Sequence, residues 1–234
     1  VDLATRTVLT DCRRTFPHLI DIRGGTCTVI AFPGDDLQAA LDGRIDSGRW
    51  PEVFPSLAQA IRQHALPPQW LHALLDAFEQ DVDNPRYADR AQLLDYCARS
   101  ANPIGRLLMQ MVDVRDREAL RQSDAICTGL QLANHWQDAT IDYARGRIYV
   151  PEDLMRRHGV GTWDFSTGRV SDGWRGLMAE LIARTRDLFE RGKPLCDEVG
   201  RELRFEMRLT WLGGMSILDR IEAIVAVLGV AIDV

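Results

Sequence analysis

From Leu37 to Ile221 apolar residues recur at three- and four-residue spacing in one segment after another, and a chain patterned this way buries that surface by packing helix against helix. Leu37, Ala40 and Leu41 open the pattern behind an N-cap at Asp35 or Asp36, and after a loop at 47–55 Leu57, Ala60 and Ile61 continue it. Pro67 and Pro68 start a third helix that turns Trp70, Leu71, Leu74, Leu75 and Phe78 inward and carries Gln80 and Asp81 at its end. Asn84-Pro85 marks a turn, and Asp89 caps a helix through Leu93, Leu94, Tyr96 and Cys97.

That helix meets Ser100-Ala101-Asn102-Pro103, where Pro103 lacks a donor and crowds the preceding turn, so a break or kink is expected. A break frees backbone carbonyls and turns Ser100 and Asn102 toward a cavity, where they could meet substrate or water; the plain alternative is a polar helix cap. A long helix from about Arg115 to Tyr143 is buried by Leu120, Ile126, Cys127 and Leu130. Residues 151–160 read as a short helix and turn, and 162–171 as a loop anchored by Trp163 and Phe165. Ser171 or Asp172 caps a helix with the stripe Leu177, Leu181, Ile182 and Leu188. A last helix starts near Val199, and its Gly213-Gly214 pair implies close approach of a neighbour or ligand.

Residues 1–34 lack this periodicity; Val29 to Phe32 could extend as a single strand with nothing to pair with. The expectation is therefore an all-α protein with an atypical segment at 1–34 and one helical domain over 35–234. A net charge of −6 argues against nucleic acid as a partner. The five cysteines are odd in number, widely spaced and without zinc spacing, so they read as reduced thiols in a cytoplasmic protein. No leader pattern is recognised, and no apolar run is long enough to span a bilayer; the run 223–232 reads as a core helix end or as a surface touching the membrane.

The run Gly129 to Pro151 carries the chemistry. On one helix Asn134, Asp138 and Asp142 share a face, and like charges at this spacing near a helix C-terminus oppose one another and the helix dipole. A cation relieves both penalties. Hard oxygen ligands without His or Cys suit Mg²⁺, which completes its shell with water and substrate phosphate. Gly146 reads as the helix stop, and Arg145, Arg147 and Tyr149 would face the phosphate bridged by such a metal. The plain alternative is a solvated helix end with Asp142 paired to a nearby arginine.

Asn134-x-x-Gln137-Asp138-x-x-x-Asp142, followed by Gly146-Arg147-x-Tyr149-x-Pro151, resembles the second aspartate-rich motif of the squalene and phytoene synthase family. The runs Arg86-Tyr87, Tyr96-Cys97, Ser100-Ala101-Asn102-Pro103-x-Gly105-Arg106, Ser123-Asp124-x-Ile126-Cys127-Thr128, Trp136-Gln137-Asp138 and 208–214 narrow the resemblance to the hydroxysqualene synthase group of bacterial hopanoid synthesis. The resemblance implies an all-α isoprenoid synthase-type helical bundle around a central apolar cavity, an enzyme that converts presqualene diphosphate and water to hydroxysqualene and diphosphate. Asp138 and Asp142 would then hold Mg²⁺, while Arg86, Tyr87, Ser100, Arg145, Arg147 and Tyr149 bind substrate. Asn102, Asn134 and Gln137, together with Ser100, would place the attacking water. Partner isoprenoid enzymes and peripheral contact with the inner face of the membrane are implied as well.

The family's first aspartate-rich motif, which faces the second, is not recognisable; Asp35, Asp36, Asp42 and Asp46 are the upstream candidates by residue type and fall late in register. A divergent start, a non-catalytic relative or a coding-frame change before Asp35 would each account for this. Two alternatives to the leading reading stay open: a condensing enzyme that makes presqualene diphosphate or phytoene, and a catalytically silent helical partner subunit.

Overall fold

The computed structural model describes residues 20–23, 26–29, 38–39, 42, 54–83, 86–167 and 170–227. The chain divides into two compact units, Val1–Leu66 and Pro67–Val234. The sequence boundary near Asp35, the caps proposed at Asp35 and Asp36, Asp46 and the turn at Asn84-Pro85 lie outside the described residues.

In the first unit, β1 (Ile20–Arg23) and β2 (Thr26–Val29) form an antiparallel pair with Ile20 opposite Val29 and Arg23 opposite Thr26. Of the lone strand expected at 29–32, Val29 closes a strand that has a partner, and residues 30–32 lie outside the described residues. Two short runs separated by Gly-Gly are a hairpin signature, which the search for helical periodicity passed over. α1 (Phe54–His64) follows, with Ala58, Ile61 and Leu66 buried.

The second unit is all helix. In chain order it contains α2 (Pro68–Val82), α3 (Arg90–Ser100), α4 (Asn102–Met111), α5 (Arg117–Gln137), α6 (Ala139–Ala144), α7 (Glu152–His158), α8 (Thr162–Thr167), α9 (Asp172–Gly192), α10 (Leu195–Glu198) and α11 (Arg201–Val227). The local signals explain most boundaries. Pro68 occupies the first turn of α2. Asp89 accepts from the Gln92 amide at the start of α3, Asp116 from the Glu118 and Ala119 amides at α5, and Ser171 from the Trp174 amide at α9. The chain breaks at Ala101 between α3 and α4, next to Pro103, as expected.

α5 is the hub, packed against α3, α4, α9, α10 and α11. Ile126, Leu132, Ala133 and Trp136 bury it, and the Trp136 indole donates to Thr185 Oγ1 of α9 at 2.9 Å, so its polar edge is satisfied inside the core. Gly192 lets α9 come close, because a Cβ there would lie 2.4 Å from the Ile126 side chain and 2.9 Å from the Gln122 carbonyl. The expected close approach at Gly213-Gly214 holds for Gly214 alone, where a Cβ would meet the Phe189 ring at 2.3 Å.

Three expectations change. The single helix of 115–143 is divided at Asp138, whose backbone leaves helical geometry at φ −96°, ψ 14° between α5 and α6. Aspartate is a weak helix former, and ionised carboxylates one turn apart disfavour continuation. Residues 162–167, expected as loop, form α8, because the buried Asp164 carboxylate accepts from the Gly161 amide and from the Ser171 hydroxyl, each at 2.9 Å. Phe165 anchors it at 3% exposure, but Trp163 does not, at 59%. The described helix ends at Val227, with Ile221 and Val225 in the core; residues 228–232 of the C-terminal apolar run lie outside the described residues. No helix among the described residues is long and apolar enough to cross a membrane.

Candidate functional site

The site assembles where the C-terminal ends of α2 and α5 meet the middle of α3 and the stretch after α6. Asp81, in the last turn of α2, receives the Tyr96 hydroxyl of α3 at 2.8 Å and the Tyr149 hydroxyl at 3.4 Å on its other oxygen. Burial pushes its carboxyl up, while the Tyr96 hydrogen bond, the Arg147 charge and the Tyr149 hydrogen bond hold it down. The phenols rise in turn: for Tyr87, Tyr96 and Tyr149, burial is the largest cause and the Asp81 charge the next.

Aromatic rings enclose this carboxylate. Tyr149 lies against His135 of α5 with ring centres 3.7 Å apart and planes 14° from parallel, and against Tyr87 at 6.0 Å. Tyr96 contacts Tyr87, Tyr149 and His135 at 5.6–6.2 Å. His135 is buried, and desolvation pushes it down to about 3, so it is neutral at physiological pH.

Asp142, on α6, faces the same region. Its amide bonds the Asp138 carbonyl at 2.7 Å, so the one-turn relation between the two acids survives the helix break. Burial first, then the Asp138 charge, push Asp142 up to about 6; Arg147 and Arg145 oppose the rise and Asp81 adds to it. Three carboxylates from two elements therefore share one electrostatic environment with two guanidiniums. Gly146, at φ +82°, ends the segment as a left-handed glycine stop and lets the chain turn back so that Arg147 and Tyr149 return toward Asp142 and Asp81.

The other anticipated residues divide. Ser100 Oγ and Gln137 Oε1 are buried polar atoms with no hydrogen-bond partner among the described residues. Asn102 is engaged, its side-chain oxygen accepting from the Thr128 hydroxyl at 2.8 Å. Asn134 is half-buried one turn before Asp138, and its carbonyl accepts from the Asp138 amide. Arg86 is exposed and lines a cavity of about 390 Å³ with Gln80, Tyr87, Asp95 and Arg99; Tyr87 belongs to both this cavity and the aromatic cluster.

Asp81, Tyr96 and His135 are members that sequence reasoning did not assign. Asp81 meets its phenols across 15 and 68 residues, and no local spacing encodes such a meeting. The thiols stand apart from the chemistry: burial pushes Cys97 up to about 12 and Cys127 up to about 11, which suits small core side chains rather than nucleophiles.

Comparison with known proteins gives a family. A squalene/phytoene synthase family model matches residues 32–227. The hydroxysqualene synthase of Rhodopseudomonas palustris is 34% identical over 166 residues, covering 70% of this chain and 56% of that protein. The hydroxysqualene synthase of Zymomonas mobilis is 34% identical over 160 residues, covering 67% and 52%. The chain thus spans about half the length of these curated relatives. Among solved structures, a squalene synthase from Alicyclobacillus acidocaldarius superposes with a TM-score of 0.76 at 34% identity, covering 82% of this chain and 72% of that one.

Proposed function

This chain belongs to the squalene/phytoene synthase family, and on that premise we propose that it converts presqualene diphosphate and water to hydroxysqualene and diphosphate. The observation that carries the reading is the half-buried acid pair Asp138 and Asp142 beside Arg145 and Arg147, which can take up a diphosphate group and its counter-cation.

The residues fit Mg²⁺ by the chemistry of their donors. Asp142 is destabilised by burial and by its neighbour Asp138, a penalty that a bound cation removes, and Gln137 Oε1 is a buried acceptor without a partner among the described residues. Among the described residues no three His, Cys, Asp or Glu side chains gather as a metal-binding group. Two carboxylates suffice for Mg²⁺ when water and phosphate oxygens complete the shell. Asp138 and Asp142 would hold the ion, which would supply charge neutralisation for the departing diphosphate.

The chain's own groups do the rest. Arg145 and Arg147 would supply forked donors to diphosphate oxygens, and the Tyr149 phenol, whose proton goes to Asp81, would line the site beside them. As the carbon–oxygen bond to diphosphate breaks, its electron pair leaves with the diphosphate. A water oxygen then bonds to the rearranged carbocation and releases a proton to the diphosphate or to solvent. Ser100 Oγ and Gln137 Oε1 would orient that water, since neither has a partner among the described residues. Thr128 fixes the oxygen side of Asn102, so the amide nitrogen would be the side turned to a water. Asn134 would complete the water site, and Arg86 and Tyr87 would support the diphosphate from the α2–α3 side.

The test is incubation of the purified chain with presqualene diphosphate and Mg²⁺, followed by identification of the lipid product, with Asp138→Asn as control. Hydroxysqualene that vanishes in the control is the expected result. Squalene-type condensation from farnesyl diphosphate instead, or a product unaffected by the substitution, would overturn the assignment.

A further inference from the structure

His135 is a buried residue one turn before the metal-binding pair, and none of the steps above uses it. Its environment is specific. One ring face covers Tyr149 at 3.7 Å, the Tyr96 ring stands tilted at 6.2 Å, and the Trp136 ring meets it edge-on at 6.5 Å. One turn back on the same helix, the Gln131 amide nitrogen lies 3.3 Å from His135 Nε2. The imidazole is thus pinned along one edge by its own helix and presents a flat, uncharged face.

Tyr149 needs such a face. It stands on the non-helical stretch after α6, and its hydroxyl reaches Asp81 at a long 3.4 Å, where a small rotation of the ring would lose the contact. A branched aliphatic side chain fills the same volume but offers no plane against which a phenol ring can lie. We propose that His135 is a positioning residue whose ring face fixes Tyr149, and through it the phenol that joins Asp81 to the diphosphate site. The proposal rests on the diphosphate-binding reading above and gives the α5 histidine a role in substrate affinity.

The test measures binding of inorganic diphosphate with Mg²⁺ by titration calorimetry, alongside KM and kcat for presqualene diphosphate. The full chain is used with four variants: His135→Leu, His135→Phe, Tyr149→Phe and the His135→Leu/Tyr149→Phe pair. His135→Leu should weaken diphosphate binding and raise KM by about five- to tenfold, the scale of one aromatic stacking contact, while kcat changes less. His135→Phe restores the flat face and should recover most of that loss. In the Tyr149→Phe background, where the positioned hydroxyl is already gone, His135→Leu should add less than about twofold. Equal losses in His135→Leu and His135→Phe, or losses that simply add in the pair, would overturn the proposal. If His135→Leu does not fold by circular dichroism, His135→Met takes its place in both comparisons. A wild-type chain that binds diphosphate yet makes no hydroxysqualene refutes the reaction assigned above, and the binding comparison still decides the role of His135. No diphosphate binding by the wild type refutes both.

Discussion

The buried histidine also sets an acid limit on the fold. An unfolded His135 takes up a proton near pH 6.5, whereas the folded one resists until about pH 3, because its site is desolvated. Between those values the unfolded chain binds the extra proton, so stability rises with pH across the window and is lost as pH falls. The full separation corresponds to about 5 kcal/mol, and the part expressed by pH 5 is about 2 kcal/mol. For a chain of this size that is a fall in Tm of roughly 4–8 °C between pH 7.5 and pH 5 from this one group. His135→Phe removes the titration while keeping a ring against Tyr149. Its Tm at pH 7.5 will shift by some amount through the lost Gln131 bond and the altered packing, but that offset is independent of pH. The diagnostic quantity is therefore the difference between the two pH values, measured by circular dichroism melts of both proteins. Wild type should fall more than the variant by roughly 4–8 °C. Identical falls would refute the reasoning, because they would mean that His135 protonates in the folded state as easily as in the unfolded one.

Two further outcomes follow from the same geometry. Asp142→Asn removes a buried charge held beside Asp138, so it should raise Tm by roughly 2–4 °C at pH 7.5, equivalent to about 1 kcal/mol, while turnover is lost and Mg²⁺ with diphosphate no longer stabilises the protein; thermal melts with and without both ligands read all of this. Thr185→Val leaves the Trp136 indole N–H buried without its 2.9 Å acceptor and should cost about 1–3 kcal/mol, read as a lower urea midpoint with an unchanged slope.

What the sequence disclosed and what it hid divide along the range of the interactions. Asp89, Ser171, Pro68, Pro103 and Gly146 act within a few residues of themselves, and their caps, starts and stops stand where their chemistry requires. The acid pair was legible for the same reason, being one turn apart. Asp81 was visible only as a helix end, since the phenols that make it part of the site come from Tyr96 and Tyr149, on other elements. α8 was read as loop because its Gly, Thr and Ser content is that of a loop, whereas the buried Asp164 supplies the acceptor that organises it. His135 hid in an apolar-looking helix, and only the ring stacked on it distinguishes it from a core residue.

The position of the acids follows from the packing of α5. Neighbours on α3, α4, α9, α10 and α11 occupy the flanks of this helix, so its C-terminal end is where polar groups can gather. That end is a poor place for carboxylates, because the unpaired carbonyls of a helix C-terminus carry partial negative charge. Placing Asp138 at the terminus of α5, Asp142 one turn later and Asp81 in the last turn of α2 multiplies this cost. Arg145 and Arg147 offset part of it, yet Asp142 still stands near 6 rather than below its ordinary value. The residual destabilisation is what a cation would relieve, and an acid cluster with a built-in deficit binds one more tightly than an acid pair already neutralised by arginine. The same arrangement gives Tyr149 its place: its single hydroxyl proton goes to Asp81, so one acid of the cluster is satisfied without consuming the positive charge of Arg145 and Arg147.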